Sequence, residues 1–404
     1  MIIAIIGASG SGKTTIISHL KQWKFFKKSR VIVKDEDNFL ILNFLKSIFG
    51  NKLFNEYKQQ KFFNKAPQSL TSQLFSGVAY WLYPAIIYLE FLITHILYST
   101  IWRNQVLICD RYLYDYLVTF EEMLNIRSPI MNFLVIRFPK PHLCFYLQIS
   151  KKISLARNKN NIPGKITSSS DLHERVLRRY NSLAHQLAMI KVRGDQNKFD
   201  AVEEIEDYIY NKEKLMQIKS LSVSGIDGAG KTTTCNNIHR LCRQLNIPSA
   251  IVHFYHLSIL YKFLNRMGTK DIPSSNMNIQ NQSFLWALLT FIDSYIQYIF
   301  ARITNLGSLI IYDRYFYDYL VSFEYRKIPL LNSFTKLIPE PCRSFVFFIK
   351  PAKAHRRKTD NLKAGYFQEM HHLYIKLAKQ QKLIPIQVSN KSPKEVLRKV
   401  IEVI

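Results

Sequence analysis

Cysteine is scarce in this chain, and the cysteines that are present do not pair by spacing. There are five among 404 residues, an odd number, and no two have the close spacing of a metal-binding or disulfide motif. A disulfide-built scaffold and a structural zinc site are therefore not expected. We expect reduced thiols and a cytoplasmic protein.

Long apolar runs without a charge are also lacking. Two stretches approach the length of a membrane span, Gly77 to Trp102 and Ser283 to Ile303, and each contains a carboxylate, Glu90 or Asp293. A charge in the middle of a span is costly, so we expect buried helices and no membrane span. The first apolar segment starts at Ile2 and leads directly into a glycine-rich loop, so no secretory signal peptide is expected.

Acidic residues are few relative to basic ones. The chain has 29 acidic and 56 basic residues, a formal charge of +27. Dividing the chain after Lys212 gives 29 − 17 = +12 and 27 − 12 = +15, so both halves are basic. Such a surface suits phosphorylated ligands, nucleic acid or an anionic membrane, and it also suits simple solvation by lysine. The Phe-, Lys- and Asn-rich segment from Leu40 to Ala66 offers the same choice between a nucleic-acid face and an amphipathic helix.

What the chain does contain is a twelve-residue phrase that occurs twice. It reads DRYLYDYLVTFE from Asp110 to Glu121 and DRYFYDYLVSFE from Asp313 to Glu324, with ten identical positions. Each copy follows an apolar run that predicts a buried strand. The repeat predicts two domains of about 200 residues each. The predicted organisation is a first domain at 1–211, a linker at 212–219 and a second domain at 220–404.

Each half begins with a strand followed by a glycine loop of the pattern G-x-x-x-x-G-K-[ST]. Glycines allow backbone N–H groups to point at phosphate oxygens, the lysine reaches the terminal phosphates, and the threonine hydroxyl binds Mg²⁺. The loops therefore predict a phosphate-bearing ligand with Mg²⁺, and the family resemblance given below implies that this ligand is ATP. The predicted ATP-binding residues are Gly7, Gly10, Gly12, Lys13, Thr14 and Thr15 in the first half, and Gly225, Gly228, Gly230, Lys231, Thr232 and Thr233 in the second.

Alternating strands and helices predict the fold class. We expect an α/β protein with two tandem P-loop NTPase domains, each a parallel five-stranded sheet with helices on both faces. In such sheets ligands bind at the carboxyl ends of the strands, where the Asp-Arg pairs are expected. Asp110 and Asp313 are predicted to bind metal together with Thr14 and Thr232.

The arginines of the phrase and of two basic segments complete the predicted machinery. Arg111 and Arg314 are expected to hold an acceptor phosphate in a bidentate manner. The basic segments that follow the fourth strand of each half are expected to be loops whose arginines close over the reaction. The full predicted catalytic set is Lys13, Asp110, Arg111 and Arg157 in the first half, and Lys231, Asp313, Arg314, Arg356 and Arg357 in the second.

On these residues each half resembles the thymidylate kinases of the nucleoside-monophosphate kinase group. SGIDGAGKTTT and IIYDRYFYD in the second half, and ICDRY and LHERVLRRYNSLA in the first, are similar to motifs of that family. The resemblance implies dTMP as acceptor, Arg314 on its phosphate, Asp227 near its sugar, and Arg356 or Arg357 as a lid arginine. Glu90 and Asp293, each 20 residues before an Asp-Arg pair, are added to the predicted substrate contacts.

Three departures from the family leave the acceptor open. The repeated phrase continues as YDYLV[TS]FE, where thymidylate kinases usually have small and polar residues. The first loop has Ser9 where the second has Asp227, and neither long helix has an arginine matching the family's pattern for the thymine edge. The acceptor could instead be another phosphorylated or hydroxyl-bearing metabolite. A nucleotide-binding regulatory or nucleic-acid-binding module with one degenerate copy is the alternative from another class. The two copies are also expected to pack on each other as a pseudo-dimer.

Overall fold

The computed structural model describes most of the chain, in segments. The described residues are 1–23, 31–34, 39–49, 70–101, 105–123, 128–161, 170–254, 284–328, 335–357 and 364–404. The chain divides into two compact units, Met1–Ile209 and Tyr210–Ile404.

The first unit contains a parallel five-stranded sheet. Its strands have the spatial order β2-β3-β1-β4-β5. The central strand is buried along its whole length, which explains why its sequence, IIAII, has no polar alternation. The strands are β1 (Ile2–Ile6), β2 (Val31–Lys34), β3 (Val106–Asp110), β4 (Leu143–Gln148) and β5 (Ile190–Arg193).

Helices connect these strands and cover the sheet. They are α1 (Lys13–Gln22), α2 (Leu40–Phe49), α3 (Leu70–Thr100), α4 (Leu113–Val118), α5 (Pro129–Arg137), α6 (Lys151–Asn161), α7 (Ser170–Gln186) and α8 (Lys198–Met216). A π-helical turn, Thr119–Met123, continues α4. Of the Phe- and Lys-rich segment, the part in α2 is helical, and residues 50–66 lie outside the described part of the chain.

The second unit repeats this arrangement. Its sheet is also parallel, with the order β7-β8-β6-β9-β10, so the first strand of the unit is again central. The strands are β6 (Ser220–Gly225), β7 (Ser249–His253), β8 (Leu309–Asp313), β9 (Arg343–Phe348) and β10 (Ile384–Gln387). The helices are α9 (Lys231–Gln244), α10 (Phe284–Thr304), α11 (Phe316–Tyr325), α12 (Pro351–Arg357), α13 (Ala364–Gln380) and α14 (Pro393–Val403). The predicted fold class is confirmed.

The tyrosine that follows each Asp-Arg pair anchors the phrase in the core. Tyr112 is fully buried, its ring contacts Phe91, and its hydroxyl donates to the carbonyl of Pro139 at 2.7 Å. Tyr315 is fully buried too and donates to the carbonyl of Pro339 at 2.5 Å. Because each ring is buried in the core and each hydroxyl is hydrogen-bonded, these tyrosines fix the phrase at the end of its strand in each unit.

The polar segment predicted as a linker begins inside α8, so most of residues 212–219 are helical. The helix continues because this segment has no glycine or proline and because Leu215 supplies a buried apolar position. Among the described residues, no helix has the length and apolar character needed to cross a membrane.

Candidate functional site

The glycine loop of each unit ends in a helix whose first turn is open. Gly12 and Gly230 precede α1 and α9 with φ of 94° and 84°, a left-handed conformation that suits glycine. Neither helix start receives a side-chain cap. The first backbone N–H groups of a helix have no partner within it and carry partial positive charge, so this arrangement suits a phosphate group.

The first glycine of the second loop is required by close packing. Gly225 has φ of 141°, and a Cβ atom at this position would lie 2.6 Å from the carbonyl oxygen of Phe347 on β9. The loop therefore leaves the sheet through a gap that only glycine fits.

The loop lysines are buried and fold back on their own loops. Lys13 donates to the carbonyl of Gly7 at 2.5 Å, and Lys231 donates to that of Gly225 at 2.6 Å. Burial lowers the pKa of Lys13 to about 8, against the opposing effect of Asp115. Burial also lowers the pKa of Lys231. Each lysine therefore contacts carbonyl oxygens of its own loop. A bound phosphate would supply the negative charge that favours the protonated form of both lysines.

The predicted metal ligands of the second unit are in contact. Thr232 Oγ1 donates to Asp313 Oδ2 at 2.6 Å, and His253 Nδ1 lies 2.9 Å from the same oxygen. Asp313 is 3% exposed. In the first unit Thr14 Oγ1 is 3.4 Å from Asp110 Oδ2, a longer contact between the corresponding residues. The adjacent predicted residues Thr15 and Thr233 are exposed in the first turns of their helices.

The second carboxylate oxygen of Asp313 indicates what this pair can hold. Oδ1 is buried and has no hydrogen-bond partner among the described residues. An unpaired buried carboxylate oxygen is unfavourable unless a cation or donor reaches it. Carboxylate and hydroxyl oxygens are ligands that Mg²⁺ prefers, so Thr232 and Asp313 fit this ion.

The arginine of each Asp-Arg pair has a left-handed backbone. Arg111 has φ of 77° and Arg314 has φ of 68°. A non-glycine residue in this region carries strain of about 1–3 kcal/mol, which persists only where the surroundings enforce it. Arg314 forms an ion pair with Asp227, whose Oδ1 is also 3.5 Å from Lys231 Nζ. The loop acid therefore lies between the lysine and the arginine.

The basic-segment arginines are on helices, so the prediction of loops is wrong for them. Arg157 is on α6 and donates to the carbonyls of Gly10 and Gly194 at 3.2 and 2.9 Å. The first helix-breaking residues after β4 are Pro163 and Gly164, beyond the end of α6, so α6 can begin directly after the strand.

The second unit has the corresponding contact. Arg357, at the end of α12, donates to the carbonyl of Gly228 at 3.0 Å, and both Arg357 and its neighbour Arg356 are exposed. The remaining parts of the two basic segments, 162–169 and 358–363, lie outside the described residues.

The two helix carboxylates are fully buried, and each accepts hydrogen bonds from described residues. Glu90 accepts from the backbone N–H groups of Leu40 and Ile41, at 2.7 and 2.8 Å, at the start of α2. Asp293 accepts from the side-chain amide of Gln297 one turn along α10. Glu90 thus caps a helix, and its contact with a substrate stays a prediction, as does that of Asp293.

Comparisons with known proteins give distant similarities. No protein-family model and no curated protein matches the chain. Among solved structures, the deoxyadenosine kinase of M. mycoides with bound dATP is similar over 52% of this chain and 99% of its own, with 15% identity and a TM-score of 0.35. The thymidylate kinase of Candida albicans is similar over 46% of this chain and 90% of its own, with 14% identity and a TM-score of 0.34. Similarity at this level carries no argument about activity, which must rest on the site itself.

Sequence reasoning missed one residue of the site in each unit. Asp115 and Asp318, five positions after the metal-ligand candidates, are buried and accept the N–H groups of Gly7 and Gly225, the first residues of the two glycine loops. The signal was present, because the repeated phrase contains this aspartate in both copies. The partner could not be identified, since it lies more than 90 residues away in the chain.

Proposed function

We propose that the second unit transfers the terminal phosphoryl group of ATP to a nucleoside monophosphate, with dTMP as the first candidate. One observation carries the proposal. Thr232 and Asp313 are in contact at 2.6 Å, beside an uncapped helix start and the buried Lys231. A nucleoside triphosphate with its Mg²⁺ would contact the Thr232–Asp313 pair, the uncapped helix start and Lys231 together.

The donor phosphates are bound by the loop. Backbone N–H groups at the start of α9 face the phosphate oxygens, and Lys231 moves from the carbonyls of Gly225 and Ile226 to the phosphates. Thr232 and Asp313 would hold Mg²⁺, which supplies charge neutralisation and orientation of the phosphates. Arg357 keeps the carbonyl of Gly228 occupied, so that the loop presents N–H groups toward the anion.

The acceptor phosphate is bound by Arg314. Arg314 directly follows the metal-ligand candidate Asp313, which ends β8 at the carboxyl edge of the sheet, and its backbone is left-handed there. A guanidinium group can hold a phosphate with two parallel hydrogen bonds. Donor and acceptor are then brought together by residues adjacent in the chain, Asp313 and Arg314, which lowers the entropic part of the barrier.

The choice of dTMP rests on the resemblance of the loop and the Asp-Arg-Tyr motif to thymidylate kinases. A second acceptor class has its own support, because Arg314 is already paired with Asp227. A paired arginine attracts an anionic acceptor less strongly, which favours a neutral hydroxyl-bearing acceptor such as a nucleoside.

The proposed reaction consumes ATP, and the five cysteines have no spacing typical of disulfides. Both points support a cytoplasmic location.

A coupled assay of ADP release tests the proposal. The purified full chain is given MgATP with dTMP, dUMP, other nucleoside monophosphates or thymidine, and we expect acceptor-dependent turnover that is greatest with dTMP. Greater turnover with thymidine would select the hydroxyl acceptor. Absence of acceptor-dependent ADP with every compound would overturn the proposal.

Two lysine variants assign the activity to a unit. Lys231→Ala removes a cation that stabilises the transferring group, so we expect a fall in kcat of about 10²–10³-fold. Lys13→Ala makes the same change in the first unit and shows its share of turnover. Lys379→Ala, an exposed lysine on α13, is the matched control. Full activity in Lys231→Ala would contradict the assignment to the second unit, and full activity in both loop variants would contradict the mechanism.

A further inference from the structure

The aspartate at the fifth position after each metal-ligand candidate connects three elements. In the second unit, Asp318 Oδ1 accepts from the Gly225 N–H at 3.4 Å and from the Tyr374 hydroxyl at 2.7 Å. Its Oδ2 accepts from the Tyr315 N–H at 2.9 Å and from the Ser224 hydroxyl at 2.7 Å. Asp318 is 8% exposed.

The first unit forms the same connection with different surroundings. Asp115 Oδ1 accepts from the Gly7 N–H at 3.2 Å and from the Tyr180 hydroxyl at 2.8 Å, and its Oδ2 accepts from the Tyr112 N–H at 3.0 Å. The flanking sequences differ, RRYNSLA in α7 and HLYIKLA in α13. The contact therefore occurs in two separate sequence contexts.

The positions of these partners relate the connection to the reaction. Gly225 is the first residue of the phosphate loop, and Tyr315 directly follows Arg314, whose backbone is left-handed. Tyr374 is on α13, which follows the second basic segment. The carboxylate of Asp318 thus joins the loop proposed to hold the donor, the turn proposed to hold the acceptor and a third helix.

The chemistry of the contact suits positioning. The four hydrogen bonds satisfy both oxygens of the Asp318 carboxyl group, and a buried polar group is unfavourable when an oxygen is left without a partner. A displacement of the loop, of the turn or of α13 would leave part of this charge unpaired. The three elements are therefore held to one mutual arrangement.

We propose that Asp318 with Tyr374, and Asp115 with Tyr180 in the first unit, are positioning residues that fix the phosphate loop relative to the acceptor arginine. Asp318 acts through Gly225 and through the turn at Arg314, and Tyr374 makes that arrangement depend on α13. This inference rests on the proposed phosphoryl transfer.

Tyr374→Phe is the principal test because it removes one hydroxyl and keeps the ring. We expect kcat to fall about tenfold with little change in KM for ATP, since loss of one hydrogen bond to a charged group is about 1.4 kcal/mol. Tyr312→Phe is the matched control. Tyr312 is also buried, and its hydroxyl has no hydrogen-bond partner in the described part of the chain, so kcat should stay within about twofold.

Asp318→Asn should lower kcat further, by about a hundredfold, because one of the two acceptor oxygens becomes an N–H₂ group that faces two donors. Adding Tyr374→Phe should then have much less than its own tenfold effect, because both changes act on the same set of hydrogen bonds. Multiplicative effects in the double variant would overturn the inference. So would an unchanged kcat in Tyr374→Phe, which decides the matter if Asp318→Asn does not fold.

Hydrogen exchange separates this inference from the proposed function. In the nucleotide-free protein, Tyr374→Phe should speed amide exchange in a peptide covering residues 221–230, and Tyr312→Phe should not. If the wild-type chain transfers no phosphoryl group to any acceptor, the proposed function fails, and faster exchange of the loop still supports the structural connection. Unchanged exchange in Tyr374→Phe would contradict the connection whether or not the enzyme is active.

Discussion

The close passage of the phosphate loop past β9 gives a quantitative prediction. Gly225 and Gly230 both have positive φ, 141° and 84°, but only Gly225 is crowded. A Cβ atom at Gly225 would lie 2.6 Å from the oxygen and 3.2 Å from the nitrogen of Phe347, whereas one at Gly230 would have no atom within 4 Å. Alanine at the two positions therefore separates backbone strain from steric overlap.

Both substitutions carry the strain of a left-handed alanine, about 1–3 kcal/mol. Gly225→Ala also overlaps backbone atoms of a strand that is paired with β6 at this residue, so relief requires movement of the sheet. Overlap of this kind adds about 1–3 kcal/mol. We expect Gly225→Ala to destabilise the second unit by about 2–6 kcal/mol and Gly230→Ala by about 1–3 kcal/mol.

Urea unfolding followed by circular dichroism, with calorimetry to separate the transitions of the two units, measures the difference. The midpoint should shift and the slope with denaturant should not, since the exposed surface on unfolding is unchanged. Equal destabilisation by the two alanines would show that the overlap with Phe347 is not a real constraint.

Two further predictions concern the first unit. Glu90→Gln should lower the stability of the first unit by about 2–4 kcal/mol, because one of two charge-assisted hydrogen bonds to the start of α2 is lost. The KM for the acceptor should stay unchanged. A raised KM at unchanged stability would show instead that Glu90 binds substrate. Burial lowers the pKa of His95 in the folded first unit to about 4. Between about pH 6.5 and pH 4 the unfolded state therefore binds a proton at this histidine and the folded state does not. The free energy of unfolding falls as the pH is lowered through this range. The loss should be at most about 3 kcal/mol and should be smaller in His95→Gln, as calorimetry at several pH values would measure; identical pH profiles of variant and wild type would exclude His95 as the cause.

The sequence predicted those parts of the site that depend on local rules. A strand followed by a glycine loop determines where Lys231 and Thr232 lie, and a parallel strand delivers Asp313 to the same edge of the sheet. Their contact at 2.6 Å follows from these two rules, although they are 81 positions apart. The identical phrase in both halves likewise predicted two units, which have the same strand order.

The remaining features depend on packing between distant segments. The left-handed backbone of Arg314 is not evident from sequence, because arginine ordinarily has negative φ and only the surroundings impose the exception. The Lys- and Asn-rich composition around Arg157 suggested a loop, but Ser154 on the same segment is buried and donates to the carbonyl of Ser9 at 2.8 Å, which holds α6 against the glycine loop. Equal spacing suggested one role for Glu90 and Asp293; among the described residues Glu90 accepts from the start of α2 and Asp293 accepts from Gln297.

The difference between the two loops bears on substrate selection. In the second unit Asp227 contacts both Arg314 and Lys231, whereas the corresponding Ser9 has no carboxylate. An acceptor phosphate that takes Arg314 from Asp227 leaves a partly buried carboxylate in need of a new donor, and an unpaired charge of this kind is costly. An acceptor with a hydroxyl group near Asp227 supplies that donor, and one without it does not. We therefore expect the second unit to select acceptors that have a sugar hydroxyl. Such a hydroxyl can donate to Asp227 while Arg314 binds the acceptor phosphate, so neither charge is left without a partner.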